Sequence, residues 1–159
     1  MKCALLVIDM QKASYSGREK RLMDKAARTI NEAAALFRGR GFPVVWIQHD
    51  NGKDAAPGKV KFEMIDALKP LDEEKRIVKH YLNSFNKTEL LSFLQSQNVD
   101  TPVITGFCAE YCVLATFRGA EDLDLAPLML KGAIASGRGK NIRFVEKLAK
   151  TVSLEELAG

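Results

Sequence analysis

The chain has 159 residues, with 24 basic against 20 acidic side chains and a formal net charge of +4, a size at which one domain, residues 1–159, buries its own core. Its three cysteines are too few and too irregularly spaced for a disulfide framework, which fits a reducing compartment. No apolar run is long enough to cross a bilayer, and Met1-Lys2-Cys3 leads into a strand-like segment without a signal-peptide pattern, so a cytoplasmic protein with no membrane partner is expected.

In chain order, Cys3 to Asp9 is a continuous apolar run ending in a carboxylate, the pattern of a strand covered on both faces. A helix is predicted over Arg18 to Arg38, where Leu22, Ala26, Ile30, Ala33, Ala34 and Phe37 recur at helical spacing and Gly39 and Gly41 stop it. Phe42 to Gln48 reads as a second buried strand with His49-Asp50-Asn51-Gly52 as its loop. The stretch from Gly52 to Glu74 is the least patterned, and one short helix is expected near Phe62 to Leu68. A third strand follows at Arg76 to Lys79, a helix at Lys87 to Gln97 and a fourth strand at Pro102 to Gly106. Helix Glu110 to Asp122, strand Ala126 to Leu130, a helix around Asn141 to Leu148 and a last strand near Thr151 and Val152 complete the order.

Regular alternation of strand and helix predicts an α/β fold, a doubly wound parallel sheet of about six strands in three α/β/α layers. The basic stretches 18–28 and 131–150 are interrupted by acids, and Phe144 is the only aromatic in them. They read as solvated helix faces, so no nucleic-acid partner is expected.

In such sheets chemistry collects beyond the carboxyl ends of the strands. Asp9, His49 with Asp50, Lys79 and the turn from Gly106 to Cys112 lie at those ends. Cys108 and Cys112 leave three readings open: a pair, two buried fillers, or one nucleophile with a neighbour. The spacing is one residue longer than a redox Cys-x-x-Cys, and zinc lacks ligands, since His49 and His80 are the only histidines. Cys112 falls in the first turn of the helix expected from Glu110, where free N–H groups and the helix dipole favour an anion, so a lowered thiol pKa is expected. Cys3, inside a strand, reads as core, and His80 as surface.

Three separated blocks, LLVIDMQ at 5–11, VKHYLNSF at 78–85 and ITGFCAEYCVLATFRGA at 104–120, together resemble the isochorismatase-like cysteine hydrolases, which include nicotinamidases and N-carbamoylsarcosine amidases. The resemblance implies a triad of Asp9, Lys79 and Cys112. Asp9 would take the thiol proton, Cys112 would attack a carbonyl, and Lys79 would hold both anions. It also implies an oxyanion hole made by the backbone N–H groups of Cys108 and Cys112, preceded by a cis bond between Phe107 and Cys108. On this reading Cys108 matters for its backbone more than for its sulfur.

The activity so implied is cleavage of a C–N bond in a small amide or carbamoyl substrate through a thioester. The alternatives are isochorismatase-type vinyl-ether hydrolysis, which does not require a thiol, or a non-catalytic relative that binds a metabolite or partner. Gln11, Tyr15, Trp46, His49, Phe85 and Phe107 are the candidates for substrate contacts. In nicotinamidases an Asp and at least two His after the second strand hold a divalent metal. This chain offers only His49, Asp50 and Asp54 there, so no metal or other cofactor is expected. Ser14 stands where relatives commonly carry an aromatic, and the chain is shorter than most, which leaves the substrate unassigned. Relatives commonly assemble, so a homo-oligomer, dimer or tetramer, is the expected state.

Overall fold

A computed structural model describes all residues 1–159. Six parallel strands, β1 (Cys3–Ile8), β2 (Val44–His49), β3 (Lys75–Lys79), β4 (Thr101–Phe107), β5 (Leu128–Ala135) and β6 (Thr151–Val152), form one sheet in the order β3-β2-β1-β4-β5-β6. The helices are α1 (Gly17–Gly39), α2 (Leu90–Ser96), α3 (Leu114–Asp122), α4 (Gly139–Leu148) and α5 (Leu154–Ala158).

The three layers follow from the two-residue period of β1, all of which is buried. Cys3, Leu5 and Val7 face one way and join Met23, Ile30 and Phe37 of α1 and Leu157 of α5 in one core. Ala4, Leu6 and Ile8 face the other and pack with Leu90 and Leu94 of α2, Phe117 of α3 and Val145 of α4. A strand covered on both faces is apolar throughout, which is why β1 reads as a continuous run.

The chain winds outward from β1 to β3, then returns to lay β4 against the other side of β1, pairing Ile8 with Gly106. Strand order therefore reverses between β1 and β4, and a crevice opens beyond their carboxyl ends. The strands approach so closely there that a Cβ at Gly106, whose φ is +120°, would lie 2.0 Å from the Ile8 carbonyl oxygen. Only glycine fits that position.

Several boundaries differ from expectation. No helix forms over 62–68. A single tight turn at Val60–Phe62 is followed by a bridge between Met64 and Gln11, and Ile65 and Leu68 are buried without helical structure. The helix expected from Lys87 starts at Leu90 because Lys87 has a φ of +54°, outside any right-handed helix. β5 runs on to Ala135: Lys131 and Gly132 are exposed and break the apolar pattern, but Ala133, Ile134 and Ala135 return to the core. α5 was not expected; a reciprocal capping box between Ser153 and Glu156 starts it. The cysteine helix begins as a wide π-turn over Ala109–Val113, with α-helix proper only from Leu114.

Candidate active site

The chain turns sharply at Asp9, which has a φ of +50° and whose N–H donates to Ile47 O at 2.9 Å. Aspartate tolerates this left-handed backbone better than most residues. The turn aims its buried carboxylate beyond the sheet, where Lys79 enters from the end of β3. Lys79 is fully buried. Its Nζ lies 2.9 Å from Asp9 Oδ2, 2.9 Å from His49 Nδ1, 2.8 Å from Tyr81 O and 3.3 Å from Cys112 Sγ. An ammonium has three protons for these four acceptors. The structure thus brings Asp9, Lys79, Cys112 and His49 together.

Because the ammonium only donates, His49 Nδ1 accepts, and the ring proton resides on Nε2. Burial and the charge of Lys79 push the His49 pKa down, so the ring is neutral at physiological pH. Gln11 fixes its backbone from both sides: Gln11 Nε2 donates to His49 O at 3.0 Å and to Phe62 O at 2.9 Å, and His49 N donates to Gln11 Oε1 at 2.8 Å. Gln11 lines the cavity but spends both amide protons on backbone, which makes it a positioning residue rather than the expected substrate contact.

Cys112 sits inside the π-turn, half-buried. Its thiol is pushed up to about 12, first by burial and then by the Asp9 carboxylate, with Lys79 opposing both. This corrects the expectation of a thiol lowered by a helix N-terminus: desolvation and an adjacent anion outweigh the dipole of a distorted first turn. Burial also raises the Asp9 pKa, against the pull of Lys79. Asp9 Oδ1 is buried and has no hydrogen-bond partner, and Asp9, His49 and Cys112 offer ligand-type atoms within 4.8 Å of one another. The raised thiol pKa keeps the proton on the Cys112 sulfur at neutral pH.

The bond between Phe107 and Cys108 is cis, as the resemblance implied. Cys108 N–H donates to nothing within the chain, leaving it free for an oxyanion. The sulfur of Cys108 has partners of its own: Sγ donates to Glu110 Oε1 at 2.7 Å, and Ser136 Oγ lies 2.7 Å and 3.0 Å from the two Glu110 oxygens. Asn141 Nδ2 also donates to Glu110. This latch, which ties the turn after β4 to the end of β5 and the start of α4, was missed from sequence. Cys3 is buried in the core as expected.

A cavity of about 240 Å³ opens on these groups, walled by Asp9, Gln11, His49, Phe107, Cys108 and Cys112 together with Ala13, Ser14, Asn51, Ala55 and Leu82. Three of the expected wall residues are elsewhere. Trp46 is fully buried within β2 and donates through Nε1 to Glu74 at 2.6 Å. Tyr15 bonds Asp24 on α1 at 2.6 Å, and Phe85 packs into the α2–α3 side of the core. Strand interiors such as Trp46 lie under helices, and the strand residues that reach the crevice, His49 and Phe107, are the last of their strands.

The two carboxylates that follow β2 have partners of their own. Asp50 Oδ1 accepts from Gly52 N at 2.8 Å, with Oδ2 3.7 Å from exposed His80, and Asp54 is held by Lys61 and Asn51. His49, Asp9 and Cys112 could ligate a cation by chemistry, but the Lys79 ammonium contacts all three.

Residues 3–149 match the model of the isochorismatase domain. The chain belongs to the isochorismatase family. The isochorismatase family protein YrdC of Bacillus subtilis is 33% identical over 139 residues, covering 85% of this chain and 74% of YrdC. The crystal structure of N-carbamoylsarcosine amidase from Thermoplasma acidophilum superposes with a TM-score of 0.88 at 25% identity and covers 100% of both chains. A third relative, 30% identical over 148 residues that cover 76% of this chain and 74% of its own, is described as a probable inactive nicotinamidase of Arabidopsis thaliana. Isochorismatase family membership thus fixes the fold, but turnover has to be argued from the side chains. No helix is long and apolar enough to cross a membrane.

Proposed function

We propose that this protein is a cysteine hydrolase that cleaves the C–N bond of a small amide or carbamoyl compound. The observation that carries the reading is the partnerless, buried Asp9 Oδ1 beside a protonated Cys112 whose sulfur lies 3.3 Å from Lys79 Nζ. A carboxylate with a raised pKa and a free lone pair is a competent base, and a nearby ammonium stabilises the thiolate as it forms.

The cycle balances with these residues alone. Asp9 takes the thiol proton, sulfur bonds to the substrate carbonyl carbon, and the oxyanion receives the N–H groups of Cys108 and Cys112. As Asp9 becomes neutral it releases its claim on Lys79, so an ammonium proton turns to the sulfur. Asp9 then gives its proton to the leaving nitrogen, the C–N bond breaks and a thioester remains. Water, deprotonated by Asp9, attacks the thioester; the acid departs and the proton returns to Cys112.

The name of the N-carbamoylsarcosine amidase relative supports C–N chemistry on this fold. The meeting of acid, cation and thiol at one point argues against a non-catalytic metabolite-binding relative, and the thiol argues for an amidase over vinyl-ether hydrolysis, which needs none. The test is transfer to hydroxylamine. Wild type with a panel of small primary amides and carbamoyl compounds is expected to release ammonia and form hydroxamates, and Cys112→Ala neither. Hydroxamate formation that survives in Cys112→Ala would sink the mechanism. The reaction is proposed for the reducing cytoplasm, without a cofactor, in a homo-oligomer whose state sedimentation would establish.

A further inference from the structure

The polar groups facing the cavity are nearly all neutral or already committed. Asp9 is balanced by Lys79, and the Lys79 ammonium is fully buried among four acceptors. Gln11 spends its amide protons on His49 O and Phe62 O, and Asn51 gives one amide proton to Asp54 while its oxygen accepts from Lys53 N and Ala55 N. The donors left to a substrate are all neutral: the Nε2–H of His49, the backbone N–H groups of Cys108 and Cys112, the Ser14 hydroxyl and the second amide proton of Asn51. The remaining wall is apolar, with Phe107, Leu82, Ala13 and Ala55.

We propose that this site selects uncharged substrates: a small carboxamide or carbamoyl compound with a second hydrogen-bond acceptor that receives the Nε2–H of His49. The inference deepens the amidase reading and rests on it. A carboxylate entering here would leave water for walls with no free cation, next to the Asp9 charge, and a desolvated anion without a partner is strongly disfavoured. A neutral amide loses far less, and the His49 donor replaces one of its water contacts. His49 suits the task because two constraints fix it: Lys79 sets its tautomer and Gln11 its backbone. A site that offers a buried donor discriminates against molecules that leave it unpaired.

Iodoacetamide and iodoacetate test charge selection without requiring turnover. They are alike in size, differ in one charge, and form the same S–C bond as iodide leaves. Alkylation rates at Cys112, located by peptide mass spectrometry at one alkaline pH, are divided by the rates of the same reagents on the denatured chain. The normalised preference for iodoacetamide is expected to be about tenfold or more, a difference of about 1.4 kcal/mol. A ratio of one or less overturns the proposal and would mean that a cation from outside these walls serves the cavity. Ser14→Arg, which adds a cation to the wall, is expected to bring the ratio towards one; an unchanged ratio counts against wall charge as the cause.

The acceptor is tested by protection. Malonamide, with a second carbonyl, is expected to shield Cys112 from iodoacetamide at lower concentration than butyramide, which lacks one. The difference should vanish in His49→Ala and partly return in His49→Gln. Equal protection in wild type, or a difference that survives His49→Ala, removes the His49 assignment. Because these measurements read alkylation, charge selection can fail while hydroxamate formation stands, and the reverse.

Discussion

Cys108 and Cys112 stand four positions apart in one turn and line the same cavity, and both thiols lie above the ordinary range, at about 11 and about 12. Their neighbours separate them. Cys108 donates to Glu110; burial works against that carboxylate's charge, but hydrogen bonds from Cys108, Ser136 and Asn141 outweigh it and hold the pKa low. Glu110 is therefore a poor base, and no cation stands beside the Cys108 sulfur to stabilise an anion. Cys112 faces Asp9, raised by burial and with one oxygen unpartnered, and it has Lys79 at 3.3 Å. The lesson is that a raised thiol pKa does not disqualify a nucleophile. What matters is whether a neighbour can take the proton and another can hold the charge.

The comparison is broken most directly by swapping which cysteine is lost. Cys112→Ala is expected to cut turnover by at least about a thousandfold with circular dichroism unchanged; comparable loss in Cys108→Ala would put both thiols in the chemistry. Gly106→Ala should disturb both cysteines at once, since its Cβ would lie 2.0 Å from Ile8 O where the turn hangs from the sheet. Urea unfolding is expected to show a loss of about 3 kcal/mol or more, and a stability near wild type would mean that the β1–β4 approach is looser than described.

Asp9→Asn sharpens the contrast by separating two signs. Turnover should fall about a hundredfold or more, since the proposed base is gone. Yet Cys112 should alkylate faster near neutral pH, because removing the anion that helps hold its pKa at about 12 leaves Lys79 to favour the thiolate. Slower alkylation in that variant would contradict the resting proton arrangement. The pH profile of wild-type Cys112 alkylation should accordingly rise into the alkaline range, without a plateau near neutrality. Smallest is the effect of the latch: Cys108→Ala is expected to cost about 1 kcal/mol of stability and less than about tenfold in turnover, with Cys108→Ser recovering most of both. Full activity in Cys108→Ala would leave the Glu110 contact without consequence for the turn.

The sequence by itself determined the architecture and where chemistry would collect. Runs apolar on every position require two covering layers, alternation with helices requires parallel strands, and strand-end positions put Asp9, Lys79 and the cysteine turn on one edge. The three matching blocks carried the family. Tertiary structure alone decided which side chains meet there. Trp46, Tyr15 and Phe85 are as aromatic as Phe107, but the packing of Glu74, Asp24 and the α2–α3 core draws them away. The tautomer of His49 depends on Lys79, 30 residues on, and the Cys108 latch on Ser136, just past β5, and Asn141 of α4. Periodicity reports which face a residue lies on; the sign of a pKa and the direction of a proton depend on atoms within a few ångströms, brought together from distant parts of the chain.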